Sequence, residues 1–126
     1  MRTLVYIFGN PDLEIDNLPL QILPELRSSF PDIEFIVKDP NEEWEIPERF
    51  IVIDTVLGIP EPMRFDDLKQ FASVPRFTVH DFDALTNLRL LDKLGRLGEV
   101  RIIGLPPETG KDEAIAYCTV QLKKLA

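Results

Sequence analysis

Three side chains in this sequence could do chemistry together: Asp16, Asp54 and His80. Asp16 follows the apolar run "TLVYIF" (3–8) and the turn Gly9-Asn10-Pro11. Asp54 interrupts "FIVIDTVLG" (50–58), the most apolar stretch of the chain. His80, the only histidine, stands just before a leucine-rich segment. Two carboxylates and one imidazole make a donor set suited to a borderline divalent metal with open coordination positions. Such a metal could polarise a carbonyl or activate water, and a carboxylate could shuttle protons. Each residue also has a plainer role: Asp16 could cap a helix, Asp54 could accept from loop amides, and His80 could open a helix. The joint reading rests on cost. A buried, unpaired carboxylate is unfavourable by several kcal/mol, and two neighbouring carboxylates repel unless a cation lies between them. Binding of such a cation is expected to weaken below about pH 6, where an imidazole takes a proton and ceases to be a ligand.

Other chemistries lack their residues. There is no Gly-x-Ser-x-Gly, no Gly-Lys-Ser/Thr loop and no His-Glu-x-x-His. "FGNPD" lacks the spaced glycines of a dinucleotide loop. Cys118 lies on the apolar stripe of a helix and reads as core. Trp44, in "NEEWEIP", reads as a plug over a strand edge, and Glu42, Glu43, Glu45 and Glu48 as a solvated acidic loop.

The elements that must position the triple follow from hydrophobic patterning. Strands are expected at 3–8, 33–37, 50–58 and 100–105, with weaker ones at 63–65 and 76–79. Helices are expected at 17–30, 83–95 and 111–125, with a short helix or loop at 66–73. Leu18, Ile22 and Leu26 form the stripe of the first helix, with Asp16 or Asn17 as its cap and Pro24 off the stripe, in a kinked, partly exposed helix. Ile115, Cys118, Leu122 and Leu125 form the stripe of the last. The acidic loop 40–48 is expected to be more mobile than the sheet and to lie near the site, with Trp44 partly buried. Alternating strands and helices predict an α/β fold: a single-domain three-layer sandwich over 1–126. Its sheet is mostly parallel, of four or five strands, with helices on both faces. The strands at 3–8, 50–56 and 100–105 are expected to be parallel neighbours at its centre, and the one near Met63 an antiparallel edge. In open sheets of this kind ligands sit outside the C-terminal ends of the strands, where Asp16, Asp54 and His80 all fall.

Composition narrows the partners. A net charge of −8 disfavours nucleic acid and anionic membranes and suits a cation or a basic segment. One cysteine excludes a disulfide framework and a cysteine-rich zinc site, and a reducing cytoplasm is the simplest setting. The first apolar run is too short for a signal-peptide core, and no stretch approaches a membrane span.

Taken in order, these motifs resemble the maturation endopeptidases of nickel–iron hydrogenases. The resemblance rests on Gly9-Asn10 after the first strand, Asp16 before the first helix, "VIDTV" around Asp54, His80 before "DALTNLRLLDKLG", and "GEVRIIGLPPE" before the last helix. It spans nearly the whole chain. It implies an aspartyl-type endopeptidase that removes a C-terminal extension from the hydrogenase large-subunit precursor once nickel is loaded. Asp16, Asp54 and His80 would then engage that nickel, which arrives with the substrate and is not a tightly held cofactor; other divalent metals could bind in vitro. Either Asp16 or Asp54 could shuttle the proton. The chain departs from the family at Ile15, where the family has a second acid, at Asn17, where it has glycine, and across 38–49, where an acidic loop replaces a Gly-Thr-rich loop and a helix. That last difference favours an alternative: a non-catalytic metal- or partner-binding protein on the same fold. A regulator using Asp54 alone as phospho-acceptor fits less well, because Asp12 stands without a cluster of acids and Lys111 is poorly placed.

Overall fold

The computed structural model describes residues 3–9, 12, 17–38, 48–72, 93, 95 and 98–125. They form β1 (Thr3–Phe8), α1 (Leu18–Ser29), β2 (Ile33–Lys38), β3 (Arg49–Thr55), β4 (Met63–Phe65), α2 (Leu68–Ala72), β5 (Glu99–Leu105) and α3 (Lys111–Leu125). The strands make one sheet in the order β2-β1-β3-β5-β4. All pairings are parallel except β4 with β5. The three strands expected at the centre are there, and the strand at Met63 is the antiparallel edge.

Burial explains this order. The last four residues of β1 are buried without alternation, as are Phe50 to Asp54 of β3 and Ile102 to Leu105 of β5. Strands that are apolar on both sides need cover on both faces, and central parallel positions provide it. The edge strand β2 instead alternates between more and less buried residues. Val5, Ile7, Ile51, Ile53, Ile103 and Leu105 face one core, into which α1 sends Leu18, Ile22 and Leu26 and α3 sends Ala114, Cys118 and Leu122. Tyr6, Phe8, Phe50, Val52, Val100 and Ile102 face the other, closed by Val56, Ile59, Phe65 and, from α2, Phe71. Helices thus lie on both faces of the sheet.

The first helix starts where its sequence allows. Asn17 occupies the N-cap position; its backbone oxygen accepts from the amides of Leu20 and Gln21, while its side-chain oxygen accepts from Gln21 Nε2 and makes no cap bond. Pro19 sits in the first turn, where no intrahelical N–H is required. Pro24 lies inside the helix but on its exposed side. In α3, Asp112 and Glu113 open the helix and Lys123 and Lys124 close it, opposing charges to the macrodipole at both ends.

At the β4 side of the sheet an ionic ladder binds three strands. Arg49 donates to Glu99, Arg101 donates to Glu99 and to the backbone oxygen of Asp66, and Arg64 pairs with Asp66. These groups are partly or largely solvated, so each pair contributes little; they link β3 to β5 and β5 to the residue that follows β4. Asp16, His80, the loop 40–47 with Trp44, the strand at 76–79 and the helix at 83–95, apart from Lys93 and Gly95, lie outside the described residues.

The sheet's lower end depends on a close approach. Glu99 N donates to Glu48 O at 2.8 Å, and a Cβ on Gly98 would run into that same carbonyl oxygen. Gly98→Ala should therefore cost about 1–3 kcal/mol, read as a lower urea midpoint; an unchanged midpoint would show that this junction yields without cost.

Candidate functional site

The parallel strands β1, β3 and β5 all end at one edge of the sheet, and Asp54 is placed there. It is the penultimate residue of β3, is 7% exposed, and is the one buried charged residue among those described. Alternation along β3 puts Asp54 on the same face as Phe50 and Val52, against the aromatic core. On one side its neighbour in register is Gly104 of β5. On the other, Ile7 pairs with Ile53, so Phe8 and Asp54 come one residue later on the same face. The carboxylate thus stands at the rim of an apolar surface, where an ionised group is held only with polar partners.

One such partner is local. Thr55 N donates to Asp54 Oδ1 at 2.8 Å. That amide is in turn fixed, because the next one, Val56 N, donates to Leu105 O at 2.9 Å and continues the β3–β5 ladder past the end of the strand. Val56 then folds back over Gly104. A Cβ at Gly104 would lie 2.9 Å from Val56 Cγ2 and 3.2 Å from Phe65 Cε2, so the missing side chain is what admits both. A glycine within a strand signals close approach; Gly104 in "RIIGL" carries that signal, and the sequence reading passed over it.

Of the three residues singled out by sequence, the structure describes Asp54 alone, at the strand end where it was expected; Asp16 and His80 fall outside the described residues. Among the described residues no three His, Cys, Asp or Glu side chains come together to hold a metal. Two carboxylates and an imidazole are a donor set that suits a borderline divalent ion; of that set the described residues include Asp54, at the C-terminal end of β3.

The other reactive groups described are not part of this edge. Cys118, on the core side of α3, is fully buried, and its thiol is pushed up to about 12 by burial. Tyr117 is shifted above the ordinary phenol value, chiefly by burial and against the opposing effect of Arg64.

The fold defined here is that of the hydrogenase maturation endopeptidases. Among solved structures, the hydrogenase maturating endopeptidase HybD from E. coli superposes with a TM-score of 0.65 at 15% identity, covering 100% of this chain and 94% of its own. The endopeptidase HycI from Escherichia coli gives 0.65 at 20% identity, over 96% of this chain and 88% of its own. The hydrogenase 2 maturation peptidase from a Thaumarchaeota archaeon gives 0.53 at 24% identity, over 97% of this chain and 95% of its own. No protein-family model matches the sequence, and no curated protein matches it.

Burial of Cys118 yields a prediction. The folded thiol, at about 12, lies above its ordinary value of 9.0, so the stability it confers is complete below about pH 9 and is lost as pH rises towards 12. The native protein should resist thiol reagents at neutral pH and react once unfolded. Cys118→Ala should show a shallower fall in denaturation midpoint between about pH 9 and pH 11 than the parent; equal slopes would mean that the thiol is not shielded.

Proposed function

We propose that this protein is an endopeptidase that removes a C-terminal extension from the large-subunit precursor of a nickel–iron hydrogenase. The observation that carries the proposal is the buried carboxylate of Asp54 at the C-terminal edge of the central strand, in a fold shared over nearly its full length with proteins described as hydrogenase maturation endopeptidases. Asp16, Asp54 and His80 are assigned to engage nickel carried by the substrate. Nickel would mark a loaded precursor and polarise the carbonyl to be attacked. Asp54 contributes a carboxylate with one oxygen held by the Thr55 amide. Either Asp54 or Asp16 moves the proton. The compartment that fits this work is the cytoplasm, and among the described residues no helix is long and apolar enough to cross a membrane.

The acidic segment "KDPNEEWEIPER" favours a second reading, in which the same fold binds a metal or partner without cutting it. Cleavage separates the two. Purified chain should shorten a nickel-loaded large-subunit precursor and leave the nickel-free precursor intact. Asp54→Asn keeps an acceptor for the Thr55 amide and should fold, yet it should lower the cleavage rate by about 100-fold or more. Precursor binding without cleavage by the parent protein would establish the second reading instead.

The metal part of the proposal has its own readout. Ni²⁺, Zn²⁺ or Cd²⁺ should raise the melting temperature by linkage, and His80→Ala and Asp54→Asn should each remove most of the gain. A full metal response in His80→Ala would take His80 out of the site.

A further inference from the structure

The feature of the strand-end edge that the proposed function leaves unexplained is Gly104. We infer that Gly104 is a positioning residue: its missing side chain lets Val56 pack back onto β5 and so holds the Thr55 amide against the carboxylate of Asp54. The inference rests on the reading of Asp54 as the metal-facing acid and adds a residue that touches neither metal nor substrate.

Gly104 and Asp54 are partners in register, so their Cα–Cβ directions point to the same face. Val56 and Phe65 occupy the space that a side chain on Gly104 would fill, at 2.9 Å and 3.2 Å from an ideal Cβ. Phe65 meets it with a ring edge, Cε2. Val56 meets it with Cγ2, and Val56 Cβ follows at 3.4 Å. A β-branched side chain is stiff about χ1, so Val56 has little freedom to rotate aside. The Phe65 ring packs against Phe71, with ring centroids 5.1 Å apart, and Val56 and Phe65 are each 1% exposed. Neither neighbour has open solvent to move into. The strain of an added methyl group therefore passes into the backbone at Val56. That backbone is one peptide from the amide donating to Asp54 Oδ1 at 2.8 Å, and it is held to β5 by Val56 N to Leu105 O at 2.9 Å. A shift there lengthens one bond or the other and turns the carboxylate. Reactive geometry tolerates little such movement.

The test uses the full chain and four variants: Gly104→Ala, Val56→Ala, their double variant, and Asp54→Asn. Two readouts are taken on folded protein: hydrogen exchange of the Thr55 amide, which needs no metal, and Ni²⁺ affinity by calorimetry. Gly104→Ala should speed Thr55 exchange and weaken Ni²⁺ binding, each about tenfold, a change equivalent to 1.4 kcal/mol. Removing the opposing methyl groups with Val56→Ala in the same chain should bring both back to within about twofold of the Val56→Ala parent, a coupling that independent sites do not show. Normal exchange and affinity in Gly104→Ala, or no recovery in the double variant, would overturn the inference. If Gly104→Ala does not fold, Val56→Ile crowds the same space from the other side, and unaltered binding in that variant overturns it equally. Asp54→Asn separates the two levels. If it binds Ni²⁺ as the parent does, the reading of Asp54 fails and the inference with it. If Asp54→Asn is weakened while Gly104→Ala is not, only the positioning role fails.

Discussion

The structure turns on one placement: a carboxylate at the end of the most apolar strand, between an aromatic side chain and a glycine. Ionised carboxylates are costly to bury, and a chain does not put one at 7% exposure in the middle of its sheet without polar company. The central parallel strands supply the setting. β1, β3 and β5 run side by side and stop at the same edge. Dense apolar packing on both faces fixes β3 in two directions, so the penultimate side chain of the strand, Asp54, emerges at a defined point. The backbone amide beyond it then fixes one carboxylate oxygen.

Much of this was legible in the sequence because burial on two sides leaves a plain mark. "TLVYIF", "FIVID" and "VRIIGL" read as buried strands through their lack of alternation, and the helix at 111–125 was bounded to the residue by its acidic start and basic end. Asp54 was legible as the polar exception in such a run. Other features had no local signal. The pairs Glu99–Arg101 and Arg64–Asp66 are each two residues apart, but Arg49–Glu99 and Arg101–Asp66, 50 and 35 residues apart, join them into a ladder only through the β3–β5–β4 register. Gly104 carried a weak mark, a glycine inside a strand, but its meaning depends on Val56 and Phe65 converging on it. Asp16 and His80 were selected by chemistry and order along the chain; convergence of side chains from separate segments is a tertiary property that spacing alone does not encode.

The fold accounts for where Asp54 is placed. At identities of 15% to 24%, the neighbouring structures share this chain's architecture over almost its whole length. Core packing tolerates wide substitution when volume and pattern are kept. In the sequence, Ile15 and Asn17 stand between β1 and α1, and residues 39–48 between β2 and β3. Connections vary more readily than the strands they join, so such variation leaves the strands that place Asp54 unchanged.

The most direct test of the central claim is a crystal structure of the protein with Cd²⁺ or Ni²⁺, with the ion located by its anomalous scattering. The account predicts a single ion at the C-terminal edge of the sheet, with oxygens of Asp54 and Asp16 and a ring nitrogen of His80 each about 2 Å away. An ion bound elsewhere, or the three side chains more than about 12 Å apart, too far for bonds near 2 Å to reach a common centre, would contradict it.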